Sequence, residues 1–184
     1  DFDNDLNNEI EQRVATMGTD GKLLLNRDGA VVHTNLIEKL MTLWLAKLSN
    51  FVPGGGLWMN TQRPEWNDAN NALAGWGLSV VTLAYIHRHL KFMKAVLAEH
   101  SGSVLLSSTV AQWFRQTRDV YANVSVTDEQ SRYQTLRSLV TVADEYRGEL
   151  YKTGLDETTE SIALTDIVQF ISNALTVVEE TLTQ

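Results

Sequence analysis

The sequence predicts an all-α domain of about six helices, and three observations lead to this prediction. Apolar residues recur at spacings of three and four along most of the chain, which is typical of helices that bury one face. Residues that cap or break helices lie at the ends of these patterns. The 184 residues, 43% of them hydrophobic and 21% charged, are enough for one domain with its own core.

The amino-terminal part predicts one weak amphipathic helix and a small hairpin. The helix is expected over residues 1–17, where apolar side chains are four residues apart. Two short apolar runs follow, at 22–25 and 30–33, on either side of a polar stretch that ends in Asp28 and Gly29. Because Asp-Gly favours a tight turn, the two runs are predicted to pair.

The second helix is predicted over residues 36–51. Thr34 or Asn35 can cap its start, and Glu38 is placed to complete a capping box from Asn35. Apolar residues cover most of the helix circumference, so we expect it to be buried between other helices. Pro53 and the three glycines that follow it are expected to end the helix and to give a flexible approach to the next segment.

A long third helix is predicted to begin at a cap on Asn67 or Asp68 and to end near residue 99. Trp76 falls on its apolar stripe and is favoured as a core residue. Further helices are predicted over residues 108–123, 127–152 and 164–182.

Charge and composition exclude several classes of function. A net charge of -8 disfavours nonspecific binding to nucleic acid or to an anionic membrane surface. No apolar run approaches the ~20 residues of a membrane span. The absence of cysteine excludes disulfides and thiolate chemistry, and it fits a cytoplasmic location. The acidic start lacks both an initiator methionine and the features of a signal peptide, so we expect a piece of a longer protein.

The polar stretch at residues 60–74 stands out between two apolar helical patterns. Three of the five tryptophans lie in or beside it, at Trp58, Trp66 and Trp76. Indole rings stack on the apolar faces of sugars, while amides such as those of Asn67 and Asn71 bond sugar hydroxyls. The stretch is therefore interpreted as part of a carbohydrate site, and residues 52–68 are interpreted as the site loop.

Two carboxylates in this stretch could act on a glycosidic bond. Cleavage needs one carboxylic acid to protonate the departing oxygen, and hydrolysis needs a second carboxylate. Glu65 and Asp68 are the candidates, and Arg63 could bind a phosphate or orient either of them. The structural alternative is that Asp68 only caps a helix and Glu65 is a charge of its first turn, and spacing alone favours this alternative.

The tripeptide Trp66-Asn67-Asp68 resembles a segment of cellobiose phosphorylase and related glycoside phosphorylases. Those enzymes carry Gly-Asp-Trp-Asn-Asp-Gly in a loop of an (α/α)6 barrel. The resemblance implies that Asp68 is the general acid, that Trp66 helps to form the sugar site, and that inorganic phosphate attacks the anomeric carbon with inversion. It implies phosphate as co-substrate and no other cofactor.

The resemblance covers about fifteen residues and departs from the family at three positions. Pro64, Glu65 and Ala69 stand where the family has Gly, Asp and Gly. A complete barrel needs about twice as many helices as the six predicted here. We therefore expect a fragment of a larger carbohydrate-active protein, with the remaining barrel as its partner and a carbohydrate as its substrate.

The sequence thus favours phosphorolysis of a β-glucoside-like disaccharide or oligosaccharide. A hydrolase on the same scaffold is the near alternative, and a non-catalytic scaffold or sugar-binding module is the alternative from another class. His87 and His89 do not form a metal pair, because residues two apart on a helix face different sides. The candidate catalytic residues are Asp68 and Glu65, and the candidate substrate-binding residues are Trp58, Arg63, Trp66, Asn67 and Asn71.

Overall fold

A computed structural model of the chain describes residues 3–26, 28–58, 77–124, 128–153 and 158–183. Within these ranges the chain is mainly helical, as predicted. The helices are α1 (Asn4–Met17), α2 (Leu36–Leu48), α3 (Val80–Ala98), α4 (Ser108–Ala122), α5 (Glu129–Thr153) and α6 (Leu164–Leu182), with a 3₁₀ turn at Gly18–Lys22. Of these helices, none has the length and apolar character needed to span a lipid bilayer.

Two small antiparallel sheets, which the sequence did not predict, join the helices. The strands are β1 (Phe51–Val52), β2 (Gly56–Trp58), β3 (Leu78–Ser79), β4 (Ser103–Ser107) and β5 (Thr159–Ala163). The first sheet has the order β1-β2-β3, and the second pairs β4 with β5 over five residues. Because the pair is antiparallel, with β4 running directly into α4 and β5 into α6, the starts of these two helices lie at opposite ends of the ladder.

The core lies between α2, α3, α4 and α6. Its largest fully buried side chains include Trp44, Phe51, Phe114 and Phe170. The Phe170 ring meets the Phe114 ring edge-on at 5.5 Å, a geometry that aromatic pairs prefer. Full burial of each such side chain contributes about 1.5–3 kcal/mol, so this cluster is a main source of stability.

The helix α2 differs from its prediction in length and in burial. It ends at Leu48 rather than at residue 51, because Phe51 pairs with Leu57 in the first sheet. It is not buried on all sides, since Leu36 and Leu43 are exposed. Apolar composition alone did not reveal which side of α2 the neighbouring helices cover.

The cap of α2 is confirmed, but the second half of its capping box is wrong. The Asn35 side chain accepts the Glu38 backbone N–H at 2.9 Å. The buried Glu38 carboxylate accepts instead from Ser107, from the backbone N–H at 3.0 Å and from the hydroxyl at 2.5 Å. This contact fixes the start of α2 against the end of β4.

The amino-terminal predictions are confirmed in outline. Asp3 caps α1, but no residue of that helix is buried, so its apolar side is not part of the core. The small hairpin is present as a single bridge between Leu25 and Val31. The Asn26 side chain stabilises its turn by accepting the backbone N–H groups of Asp28 and Ala30.

Candidate functional site

Most of the predicted site residues lie outside the part of the chain that the structure describes, so their roles stay predictions. These residues are Arg63, Glu65, Trp66, Asn67, Asp68 and Asn71, and Trp76 is outside it too. Trp58 lies inside it. For the rest of the predicted site, the structure describes only the residues on either side of the segment 59–76.

The two ends of this segment are fixed beside each other in the first sheet. Trp58 is the last residue of β2. It pairs directly with Leu78, the first residue of β3. The chain thus leaves the sheet at one residue and returns to it at that residue's direct neighbour. Antiparallel ladder hydrogen bonds hold both ends, so residues 59–77 connect two adjacent strands.

The helix predicted from residue 67 or 68 begins later, at Val80. Leu78 and Ser79 pair with β2, and the Ser79 hydroxyl caps α3 by accepting the Thr82 N–H at 3.0 Å. Ser79 therefore caps this helix in place of the predicted Asn67 or Asp68. The prediction missed the true start because the strand pairing of Leu78 is a contact with a distant part of the sequence.

The first part of the predicted site loop, residues 52–58, is an ordered hairpin rather than a flexible approach. Gly54 turns the chain with φ of 75°, and its N–H donates to the Thr181 hydroxyl of α6 at 3.1 Å. A Cβ atom on Gly55 would overlap the Leu78 side chain. These glycines are needed for a left-handed turn and for close packing of β3.

Trp58 is half-exposed and lines a hollow of about 310 Å³. Leu136 and Val140 of α5 form apolar parts of its wall, and Asn50 and Arg147 add polar groups. The Trp58 backbone N–H donates to the Asn50 carbonyl oxygen at 2.8 Å, which holds the residue in place. An exposed indole in such a setting can stack on the apolar face of a sugar ring or pack on an apolar side chain.

The largest of the cavities described lies on another side of α5. It is a groove of about 780 Å³ between α4 and α5, referred to below as the α4–α5 groove. Asp144 lines this groove and forms an ion pair with Arg147, which lines the Trp58 hollow. The sequence did not indicate the groove, because its polar residues resemble the solvent-facing side of an ordinary helix. A glycine inside α5, Gly148, was the available signal.

The histidines on α3 have structural partners. His87 Nε2 lies 2.8 Å from the Glu179 carboxylate of α6. The His89 ring lies 6.0 Å from the Trp44 ring. Among the described residues, no group of three or more His, Cys, Asp or Glu side chains is arranged to hold a metal ion.

No protein-family model matches the sequence of this chain, and no curated protein matches it. The resemblance to glycoside phosphorylases therefore rests on Trp66-Asn67-Asp68 and its immediate neighbours. The described residues that flank the segment with this motif are the paired ends of β2 and β3 and the half-exposed Trp58.

Proposed function

We propose that the protein cleaves a glycosidic bond by inverting phosphorolysis, with Asp68 as the general acid. The motif Trp66-Asn67-Asp68 provides the chemical argument. The single structural observation in support is the pairing of Trp58 with Leu78, which anchors both ends of the segment that contains the motif. Anchored ends reduce the conformational entropy lost when a loop adopts one reactive geometry.

The proposed reaction exchanges one bond to the anomeric carbon for another. The Asp68 carboxyl gives its proton to the glycosidic oxygen as the bond between that oxygen and the anomeric carbon breaks. A phosphate oxygen attacks the opposite face of the carbon and forms the new bond with inversion. The products are a sugar 1-phosphate and the released sugar, and the Asp68 carboxylate regains a proton from solvent.

The neighbouring residues are assigned supporting roles. Arg63 either binds the phosphate bidentately or orients a carboxylate of the segment. Glu65 tunes the pKa of Asp68 and bonds sugar hydroxyls, together with Asn67 and Asn71. Trp66 provides the sugar platform, and the half-exposed Trp58 is the second aromatic residue assigned to sugar binding.

Hydrolysis is the near alternative, in which water replaces phosphate. An inverting hydrolase needs a second carboxylate about 6.5–9.5 Å from the acid, across the sugar. Glu65 is only three residues from Asp68 in the sequence. Phosphorolysis needs no such base, because phosphate is itself the nucleophile, and it is therefore the better proposal.

A non-catalytic scaffold or sugar-binding module is the alternative from another class. One observation favours it: α3 exposes the large apolar side chains of Val81, Tyr85 and Phe92 along one side of the helix. Catalysis at residues 60–74 does not require this surface. A rise in melting temperature with cellobiose, without turnover of any sugar, would support the binding module.

The acid assignment is tested with Asp68→Asn in the full-length protein. The variant should lose about 10²–10⁴-fold in kcat on cellobiose, whose leaving group needs a proton. It should lose far less on an aryl glucoside, whose phenol leaves without one, and its affinity for sugar should persist. Asp166→Asn, at an exposed position in the first turn of α6, is the matched control and should keep normal activity. Near-normal activity of Asp68→Asn on cellobiose would reject the assignment.

A further inference from the structure

The α4–α5 groove has an aromatic floor and polar walls. Trp113 of α4 and Tyr146 of α5 stack with their ring centres 4.0 Å apart and an interplanar angle of 14°. The volume of about 780 Å³ falls within the about 300–1,000 Å³ of small-molecule sites. Its walls combine amides and hydroxyls of α4 with carboxylates of α5.

Three of the carboxylates that line the groove already have partners. Asp144 forms an ion pair with Arg147, and Glu160 forms one with Arg115. The Glu145 carboxylate accepts the Gln116 side-chain amide at 2.9 Å. The hydrogen bond from Arg115 holds the pKa of Glu160 below its usual value, so this carboxylate is ionised and neutralised at neutral pH.

Several hydrogen-bonding groups of the groove are not engaged by the described residues. The buried Trp113 indole N–H has no acceptor among them. Gln112 and Lys152 also line the groove. Within the described ranges, neither the Gln112 amide nor the Lys152 ammonium has a side-chain partner. Gln112 and Lys152 are exposed, so their side chains can donate hydrogen bonds to a ligand in the groove.

Tyr146 adds a hydroxyl group that stays protonated. Burial raises the pKa of this phenol, and the Glu38 carboxylate raises it further. The side chain therefore remains neutral and keeps its proton for donation at all moderate pH values. Neutral donors beside paired carboxylates suit a ligand that both accepts and donates hydrogen bonds.

Gly148 keeps the groove open in the middle of α5. A glycine inside a helix costs about 0.5–1 kcal/mol relative to alanine, so its presence calls for a reason. Packing gives none, because no described atom lies within 4 Å of a Cβ placed on Gly148. The space that a side chain would take at this position is part of the groove.

We propose that the α4–α5 groove binds a neutral polyhydroxylated ligand, namely a short glycan. Arginines already neutralise two of the four lining carboxylates, Asp144 and Glu160, which weakens the groove as a cation site. The other two carboxylates face a single lining lysine, Lys152, and disfavour an anion. A glycan hydroxyl can accept from Gln112 or Lys152 and donate to Glu145. The proposal rests on described residues and does not depend on the role of Asp68.

The test titrates the full-length Asp68→Asn protein with cellobiose and cellotetraose, so that turnover does not consume the sugar. Calorimetry measures affinity, and NMR shifts of the Gln112 and Gln116 side-chain amides show whether the sugar is in the groove. Gly148→Leu should fill the groove and weaken that binding at least tenfold, while Gly148→Ala should leave it intact. Both variants should melt no lower than wild type, since the site has free space and glycine disfavours helices.

A second pair of variants keeps the test decisive if Gly148→Leu fails to fold. Gln112→Ala, at an exposed position, should weaken binding about 3- to 10-fold, the effect of one lost hydrogen bond. Gln130→Ala, exposed in the first turn of α5 and outside the groove, should have no effect. Sugar binding that leaves the Gln112 and Gln116 amides unshifted would overturn the proposal. Saturable binding of putrescine or inorganic phosphate in the groove, without sugar binding, would also overturn it.

Discussion

The helices α5 and α6 differ sharply in how they use their surfaces. Eight of the 19 residues of α6 are buried, and they form one apolar face against α3 and α4. α5 is longer, with 25 residues, but between 129 and 152 it buries only Thr135, Leu139 and Ala143. Nine other residues of α5 line the Trp58 hollow or the α4–α5 groove.

This difference separates stability from binding in the molecule. A helix with a continuous apolar face stabilises the fold through burial, and its polar side needs only to be soluble. A helix with few buried side chains leaves room for cavities along its length. We therefore expect mutations in α6 to affect mainly the free energy of unfolding and mutations in α5 to affect mainly ligand binding.

The largest expected effect comes from truncation of the α6 core. Phe170→Ala should lower the free energy of unfolding by about 3–5 kcal/mol, because it removes a fully buried ring that contacts Phe114 and Tyr121. Val140→Ala in α5 should cost less than about 1 kcal/mol, because Val140 is 42% exposed. Urea denaturation measures both values. Equal losses in the two variants would mean that α5 supports the fold as strongly as α6.

A smaller effect should appear where α6 meets α3, as a dependence of stability on pH. The hydrogen bond from His87 lowers the pKa of Glu179 from its ordinary value of 4.5, and the charges of His87, Lys91 and Lys94 add to the shift. Because the carboxylate pKa is lower in the folded state, the stabilisation is present above about pH 4.5 and is lost as the pH falls through the folded-state pKa.

Glu179→Gln should therefore remove part of the acid-induced fall in melting temperature below pH 4.5. Thermal melts between neutral pH and pH 3 measure this fall in wild type and variant. Glu180→Gln, at the next residue and also exposed, serves as the control. An identical acid profile for wild type and Glu179→Gln would show that this pair does not stabilise the contact between α3 and α6.

The elements that were predicted well are those specified by local sequence. Over α4, α5 and α6 the apolar period gives the helix bounds within two residues, and for α6 the predicted bounds are the observed ones. The cap of α2 was also read correctly, because Asn35 and the N–H it accepts are only three residues apart.

The elements that were missed depend on contacts between distant residues. β4 and β5 pair residues that are more than fifty positions apart, and neither strand has a strong pattern by itself. The start of α3 moved from residue 68 to Val80 because Leu78 and Ser79 pair with β2. The α4–α5 groove could not be predicted, since it arises only when the polar sides of two helices come together.

The central claim is that the protein transfers a glycosyl group to phosphate. The most direct measurement incubates the full-length protein with cellobiose, with and without inorganic phosphate, and assays glucose 1-phosphate and glucose. The account predicts both products in equal amounts when phosphate is present, none without it, and neither from Asp68→Asn. Release of glucose without phosphate, or products from Asp68→Asn at the wild-type rate, would contradict it.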